Sequence, residues 1–156
     1  MEINKPDIEK LLLSEDKNGS VIELDNYICS LCNWSEEIDI LTEPQKNFYF
    51  NQELEREVNN GGFYQYFLNS SGSFAYETIN SLLSIGANRT AIKLQRAIDL
   101  FPGVVPKDRV ERQKALEKMG DSATEMWEEL DQEFFVYEDD LNSLNLEYVR
   151  NNIDKF

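Results

Sequence analysis

The chain contains no histidine and half as many basic residues as acidic ones. Without histidine, it has no imidazole base for a catalytic triad, no histidine metal ligand and no side chain that ordinarily titrates near neutral pH. The 15 Lys and Arg stand against 30 Asp and Glu, which gives the 156 residues a net charge of −15. Because such a protein repels phosphate groups, we expect it to bind neither nucleic acid nor an anionic membrane surface directly.

Cysteine occurs only twice, as Cys29 and Cys32 of one Cys-x-x-Cys sequence. A redox pair of the thioredoxin type follows a strand and opens a helix, whereas the sequence on both sides here predicts helix. Half a zinc site would need two further Cys or His ligands, and the chain has none. We interpret both cysteines as buried or half-buried structural thiols, and we predict no metal and no cofactor.

Long apolar runs are missing as well. No segment approaches the roughly 18 apolar residues of a membrane span. Residues 1–7 lack the basic region followed by an apolar region that opens a secretory signal peptide. We therefore expect a cytoplasmic protein that has no membrane partner.

Hydrophobic residues make up 41% of the chain and aromatic residues 12%, enough for a packed core. They recur at spacings of three and four, with no long alternation of period two, which is typical of amphipathic helices. We predict an all-α fold, a single compact domain of about seven or eight helices spanning residues 18–156. Residues 1–17 form an uncertain N-terminal segment.

Several local signals place the helix ends. Thr42 followed by Glu43-Pro44 predicts a helix start, and Asn59-Asn60-Gly61-Gly62 predicts a stop. A helix is expected to begin near Pro106 and to end at Gly120, and another to span residues 141–156. After Gly120 an amphipathic stripe runs to Tyr137, through Ala123, Met126, Trp127, Leu130 and Phe134.

The excess negative charge is confined to two segments. Residues 18–45 hold six acids and no base, and residues 119–149 hold ten acids and no base. The rest of the chain carries 14 acids and 15 bases, so it is close to neutral. Residues 86–118 have the opposite bias, with eight bases and four acids.

The helix predicted after Gly120 places acids three and four positions apart, and such like-charge neighbours destabilise a helix. Since folding alone would favour interleaved bases, we interpret the acids as a surface that binds a basic protein, where charge gives steering and specificity. A solvated acidic face that keeps the protein soluble is the alternative interpretation. The predicted partner-binding acids are Asp121, Glu125, Glu128, Glu129, Asp131, Glu133, Glu138, Asp139 and Asp140, together with Glu36, Glu37 and Asp39.

The size of the acidic surface can be compared with DNA. A compact domain of this length is about 40 Å across, and a duplex of that length carries roughly 23 phosphates. The sixteen acids of the two segments approach this number only if they share one face. A homodimer would lengthen the surface.

Residues 57–72 form a dense motif of amides, glycines and aromatic residues. We expect a mainly structural role, because amides cap helix ends, glycines allow tight turns and aromatic rings fill a core; a pocket for a ligand or partner is the alternative. The motif residues are Glu57, Asn59, Asn60, Gly61, Gly62, Phe63, Gln65, Tyr66, Phe67, Asn69, Gly72 and, further along, Gly86.

This motif resembles the centre of a family of small acidic bacterial proteins named for a DNA-mimic protein. In that family, a Glu-x-x-Asn-Gly-Gly-Phe-x-Gln-Tyr/Phe-Phe-x-Asn run is followed by a helix and an Ile-Gly-Ala step, and Ile85-Gly86-Ala87 stands at that place here. The resemblance covers about residues 40–101. It implies an all-α fold and an acidic surface that imitates duplex phosphates and occupies a DNA-binding protein.

Three functions remain in competition. The first is a non-enzymatic acidic binding protein whose partner is a DNA-binding regulator or another DNA-binding protein. The second is an immunity or antitoxin protein that caps a basic toxin such as a nuclease. The third is a carboxylate-based hydrolase, for which no pair of carboxylates stands out in an apolar setting; carboxylate binding of magnesium or calcium at Glu138-Asp139-Asp140 is also open. We expect no catalytic residues.

Overall fold

The computed structural model describes residues 3–156. Over that part of the chain there are seven α-helices, three short 3₁₀ turns and no β-strand, which confirms the predicted all-α class. The helices are α1 (Ile8–Leu13), α2 (Lys17–Leu31), α3 (Glu43–Leu68), α4 (Ala75–Ser84), α5 (Asn88–Ile98), α6 (Arg109–Phe134) and α7 (Leu141–Asn151).

The chain divides into two compact units, and the boundary between them falls inside α3. The terminal unit comprises the residues up to Tyr49 together with Asp140–Phe156, and the central unit comprises Phe50–Asp139. The predicted limits at residues 17 and 18 stay a prediction. Of residues 1–17, the first two lie outside the described residues, and α1 lies within the rest.

In the terminal unit, α1 and α7 both pack against α2. The core contains Leu24 and Ile28 of α2 and Val149 of α7, all essentially inaccessible to solvent. Cys29 and Cys32 are fully buried at the end of α2, as the interpretation of structural thiols predicted.

Helix α3 begins at Glu43, where the sequence places its start. The Thr42 hydroxyl accepts a hydrogen bond from the Gln45 backbone N–H at 3.2 Å, and the Gln45 side chain accepts one from the Thr42 N–H at 2.9 Å. This reciprocal capping box satisfies two backbone donors that the first helical turn would otherwise leave without partners.

The central unit is built around an aromatic cluster. The Phe67 ring lies 4.9 Å from that of Phe101 and 5.4 Å from that of Trp127, measured between ring centroids. Trp127 is only 1% exposed, and its indole N–H donates to the Ala97 carbonyl at 3.1 Å. The cluster therefore fixes α6 against α5 and the last turns of α3.

Two glycines interrupt long helices. Gly62 (φ 76°) breaks α3 and Gly120 (φ 74°) breaks α6, both with left-handed backbone angles that glycine adopts at low cost. The predicted stops at these positions are confirmed. In each case the helix resumes at once, so the chain changes direction without a loop.

Some predicted helix bounds are wrong. Helix α6 begins at Arg109 rather than near Pro106, because the Asp108 carboxylate caps it by accepting from the Glu111 N–H at 2.9 Å. It ends at Phe134 rather than at Tyr137, whose φ of 51° is incompatible with a continuing helix. The last helix stops at Asn151 and is followed by a 3₁₀ turn.

Candidate partner-binding surface

The second half of α6, after Gly120, presents two faces of opposite character. Trp127, Leu130 and Phe134 are buried in the central unit. The opposite side carries four acids, which we call the outer acids: Asp121, Glu125, Glu128 and Glu129. All four are exposed, and none forms an ion pair with any residue that the structure describes.

Asp131, on the same helix, has a structural role. Its carboxylate accepts a 2.8 Å hydrogen bond from the backbone N–H of Phe63, at the point where α3 resumes after Gly62. A carboxylate at a helix N-terminus satisfies a backbone donor and complements the positive end of the helix dipole. Burial raises the pKa of Asp131, and the negative charge of Glu128 raises it further, whereas the bond from Phe63 lowers it.

The acids beyond Asp131 neutralise α5. Glu133 forms a two-pronged ion pair with Arg96, at 2.6 and 3.2 Å, and the hydrogen bond from Arg96 is the main cause of the lowered pKa of Glu133. Glu138 lies 3.4 Å from Arg89 and 3.5 Å from the buried ammonium of Lys93. The basic bias of residues 86–118 is thus partly cancelled within the central unit.

Asp139 and Asp140 act as caps. Asp139 accepts from both the backbone N–H and the hydroxyl of Thr90, at 2.7 and 2.9 Å, in the first turn of α5. Asp140 accepts from the N–H and hydroxyl of Ser143 at the start of α7, and these hydrogen bonds lower its pKa. Both carboxylates are engaged in helix capping, so the sequence Glu138-Asp139-Asp140 is not a spare set of metal ligands.

Five of the nine acids predicted for binding between residues 121 and 140 therefore carry internal bonds. For these five, the fold itself compensates the like charges that the sequence places along the stripe. Within the part of the chain that the structure describes, the outer acids have no such compensation. Of the nine, the acids without an internal bond are therefore confined to two and a half turns of one helix.

The three predicted acids of the terminal unit lie in and after the turn that follows α2. Glu36 and Glu37 are exposed, and Glu36 accepts from the Asn33 side-chain amide. Asp39 has a side chain that is 98% exposed and lies 3.4 Å from the ammonium of Lys46. All three acids are thus exposed, and one of them, Asp39, is weakly paired with a base.

The motif residues form a hydrogen-bonded clamp across the break in α3. The Glu57 carboxylate, before the break, accepts 2.8 Å bonds from the side-chain amides of Gln65 and Asn69, after it. Phe63, Tyr66 and Phe67 are fully buried. The structural role expected for the motif explains these contacts, although Gln65 and Asn69 donate to a carboxylate rather than to loop backbone.

The two asparagines before the break behave differently. The Asn59 amide donates to the Tyr137 hydroxyl at 2.7 Å, and that hydroxyl donates to Glu55 at 3.0 Å. Burial is the largest cause that raises the pKa of Tyr137 to about 12. Asn60 is exposed. Tyr137, which the sequence assigned to a helical stripe, instead supports the turn from outside the helix.

The later glycines serve backbone geometry. Gly86 has a φ of 81°, as its predicted position at a helix end requires. Gly72 faces the side chain of Arg112, and a Cβ atom there would lie 2.6 Å from the guanidinium Nε. Each position therefore has a separate reason to be glycine.

Arg112 has a role that the sequence did not reveal. Its side chain is fully buried and donates to the carbonyls of Phe67, Asn69, Pro106 and Lys107 and to a serine hydroxyl. The guanidinium thereby joins the end of α3 to the loop before α6. No sequence signal distinguishes it from the seven other bases of residues 86–118.

Three of the four outer acids and the motif meet at an open groove of about 690 Å³, which we call the motif groove. One wall is the turn from Val58 to Gly62, and the other is the exposed side of α6. That second wall consists of Glu125, Glu128, Glu129, Asp131, Gln132 and, at the helix end, Phe135. The sequence predicted the acids and the motif separately; the bond between Asp131 and Phe63 and the ring contact of Phe67 with Trp127 bring them together.

A family model described as DMP19-like protein matches residues 39–152, more than two thirds of the chain. The chain belongs to the DMP19-like protein family. The DMP19-like segment includes the motif groove and the outer acids but excludes Glu36 and Glu37. No curated protein and no solved structure matches the chain.

Two further properties bear on function. Within residues 3–156, no helix combines the length and the apolar character needed to cross a bilayer. The same residues contain no group of three or more cysteine or acidic side chains placed to hold a metal ion.

Proposed function

We propose that this DMP19-like protein is a non-enzymatic binding module that docks on a basic protein through the outer acids. In the finer form of the proposal, the outer acids take the place of duplex phosphates on a DNA-binding regulator. The observation that carries it is the exposure of four carboxylates on one helix face without any ion pair among the described residues. The family takes its name from a DNA-mimic protein, which supports the finer form.

The spacing of the outer acids supports phosphate imitation. Residues 121 to 129 of a helix rise about 12 Å, so four acids present about one charge per 4 Å. A single DNA strand carries one phosphate per about 3.4 Å of duplex axis. The helix thus approaches the charge density of one strand.

The pairing of the bases on the neighbouring helix α5 also supports the proposal. Positive charge on α5 would weaken the attraction of a basic partner, but Arg96 is paired with Glu133, and Lys93 and Arg89 with Glu138. These ion pairs engage Glu133 and Glu138, so these two acids are not available to a partner. Among the described residues, the face of α6 that carries the outer acids is therefore negatively charged without a neutralising base.

Affinity capture followed by DNA competition tests the proposal. The protein is used as bait in an extract of its native host at low ionic strength, and retained proteins are released with salt, because screening weakens exposed charge pairs. We expect the bait to retain a DNA-binding protein and, when added to the complex of that protein with a duplex, to displace the DNA. Retention that does not depend on salt would refute the DNA-mimic form, and so would retained proteins that stay bound to DNA in the presence of the bait. A captured toxin nuclease would favour the immunity function instead.

A further inference from the structure

The motif groove favours a positive charge through its acidic wall. Among the residues that the structure describes, its lining includes four carboxylates and no Lys or Arg. The other wall, residues 58–62, is the turn where one half of α3 ends and the next begins, so opposite helix-dipole ends meet there. The attraction of the groove for a cation therefore comes from the carboxylates.

The groove also offers an exposed aromatic ring. Phe135 is 41% exposed at the end of α6, and its ring makes an edge contact with Phe134 at a centroid distance of 6.3 Å. Phe135 lies seven residues after Glu128, two turns later on the same face of the helix. The aromatic ring and an uncompensated carboxylate therefore border the same groove.

A groove that combines carboxylates with an aromatic ring distinguishes between lysine and arginine side chains. An ammonium is a compact charge that gains mainly from the carboxylates. A guanidinium is planar, so it can bond a carboxylate with two N–H groups and stack on an aromatic face at the same time. The exposed amide of Asn60 provides a further acceptor on the opposite wall.

We propose that the motif groove receives an arginine side chain of the basic partner, with the guanidinium between Glu128 and Phe135. This inference rests on the proposed docking function and adds a specific anchor to it. The outer acids supply long-range attraction, and the groove selects arginine over lysine. Such a division is common at protein interfaces, where a central arginine in a pocket is surrounded by a polar rim.

Two peptides of equal charge, hexa-arginine and hexa-lysine, test the inference by calorimetry at low salt. We expect hexa-arginine to bind about two- to fivefold more tightly, the range given by a cation–π contact at an exposed site. Phe135→Leu keeps apolar bulk without the aromatic face and should lower this preference, because only the two-pronged bonding to the carboxylates remains. Val136→Ala alters a more exposed neighbour that does not line the groove, and should leave the preference intact.

Equal binding of the two peptides to the native protein, or a preference as large in Phe135→Leu as in the native protein, would overturn the arginine anchor. A triple neutralisation, Glu125→Gln, Glu128→Gln and Glu129→Gln, separates this failure from that of the proposed function. If the triple variant binds both peptides more weakly while no arginine preference exists, acidic docking stands and the anchor falls. If the triple variant binds both peptides as tightly as the native protein, acidic docking and the anchor fall together.

Discussion

Asp131 accepts a hydrogen bond from the backbone N–H of Phe63 across 68 positions of sequence, at 2.8 Å. This contact ties the acidic half of α6 to the point where α3 resumes after its glycine break. It gives Asp131 a structural role, and Asp131 also lines the motif groove. Within residues 3–156, the outer acids on the same helix have no such bond, so the acidic stripe contains both structural acids and the proposed binding surface.

Replacing Asp131 tests its structural role. Asp131→Ala removes the acceptor and should lower the free energy of unfolding by about 1–2 kcal/mol, as for loss of a helix cap. Asp131→Asn keeps an oxygen acceptor and should restore most of that loss. Urea unfolding followed by tryptophan fluorescence measures both variants. Equal stability of the alanine variant and the native protein would show that the contact contributes nothing.

The pH dependence of stability provides a second test of the same residue. Burial raises the pKa of Asp131 in the folded state above its unfolded value. Its stabilising contribution is therefore fully present below the unfolded pKa and is lost as the pH rises through the folded one. The stability difference between the native protein and Asp131→Asn should shift in favour of the asparagine variant from about pH 4 upwards. Unfolding curves of both proteins between pH 4 and 7 measure this stability difference. A difference that shifts in favour of the native protein as the pH rises would contradict a raised pKa of Asp131.

Three glycine-to-alanine variants should form a graded series. Gly103 has open space and no left-handed backbone, so Gly103→Ala should be near neutral. Gly86 has open space but a φ of 81°, and Gly86→Ala should cost about 1–2 kcal/mol from backbone strain alone. Gly62 adds a clash, because its Cβ would lie 2.2 Å from the Asp131 carboxylate. Gly62→Ala should therefore destabilise most. Chemical unfolding ranks the three, and a Gly62 variant as stable as the Gly86 variant would contradict the packing argument.

Helix positions could be predicted from the sequence because their signals are local. A helix start is set by neighbours in sequence, as in the hydrogen bonds between Thr42 and Gln45. A helix break or end is set by the backbone angle of one residue, as at the glycines 62, 86 and 120. The end of α6 was predicted wrongly because Tyr137, three residues after Phe134, continues the apolar spacing of the helix. Tyr137 leaves the helix to meet Asn59 and Glu55, and that contact joins residues about 80 positions apart.

The site was harder to predict than the fold for the same reason. Charge counting identified the acidic segment, but it could not show which acids meet a base. The pairs Arg96–Glu133 and Lys93–Glu138 depend on how α5 packs beside the end of α6. The motif groove likewise depends on long-range contacts between α3 and α6, including Asp131 with Phe63 and Phe67 with Trp127, so neither the motif nor the acidic stripe predicts it alone.

Charge reversal of the outer acids tests the central claim most directly. The variant carries Asp121→Lys, Glu125→Lys, Glu128→Lys and Glu129→Lys and spares Asp131, so the bond to Phe63 is retained. The matched control reverses four exposed acids elsewhere, Glu9→Lys, Glu15→Lys, Glu23→Lys and Glu117→Lys, and so has the same net charge.

The measurement is displacement of a labelled duplex from the captured DNA-binding protein at low salt, after unfolding curves establish that both variants fold. We predict that the native protein and the control displace the duplex, and that reversal of the outer acids raises the concentration needed by at least about a hundredfold, because several close charge pairs become repulsive. Equal displacement by the outer-acid variant and the control would contradict the claim that these four carboxylates form the binding surface.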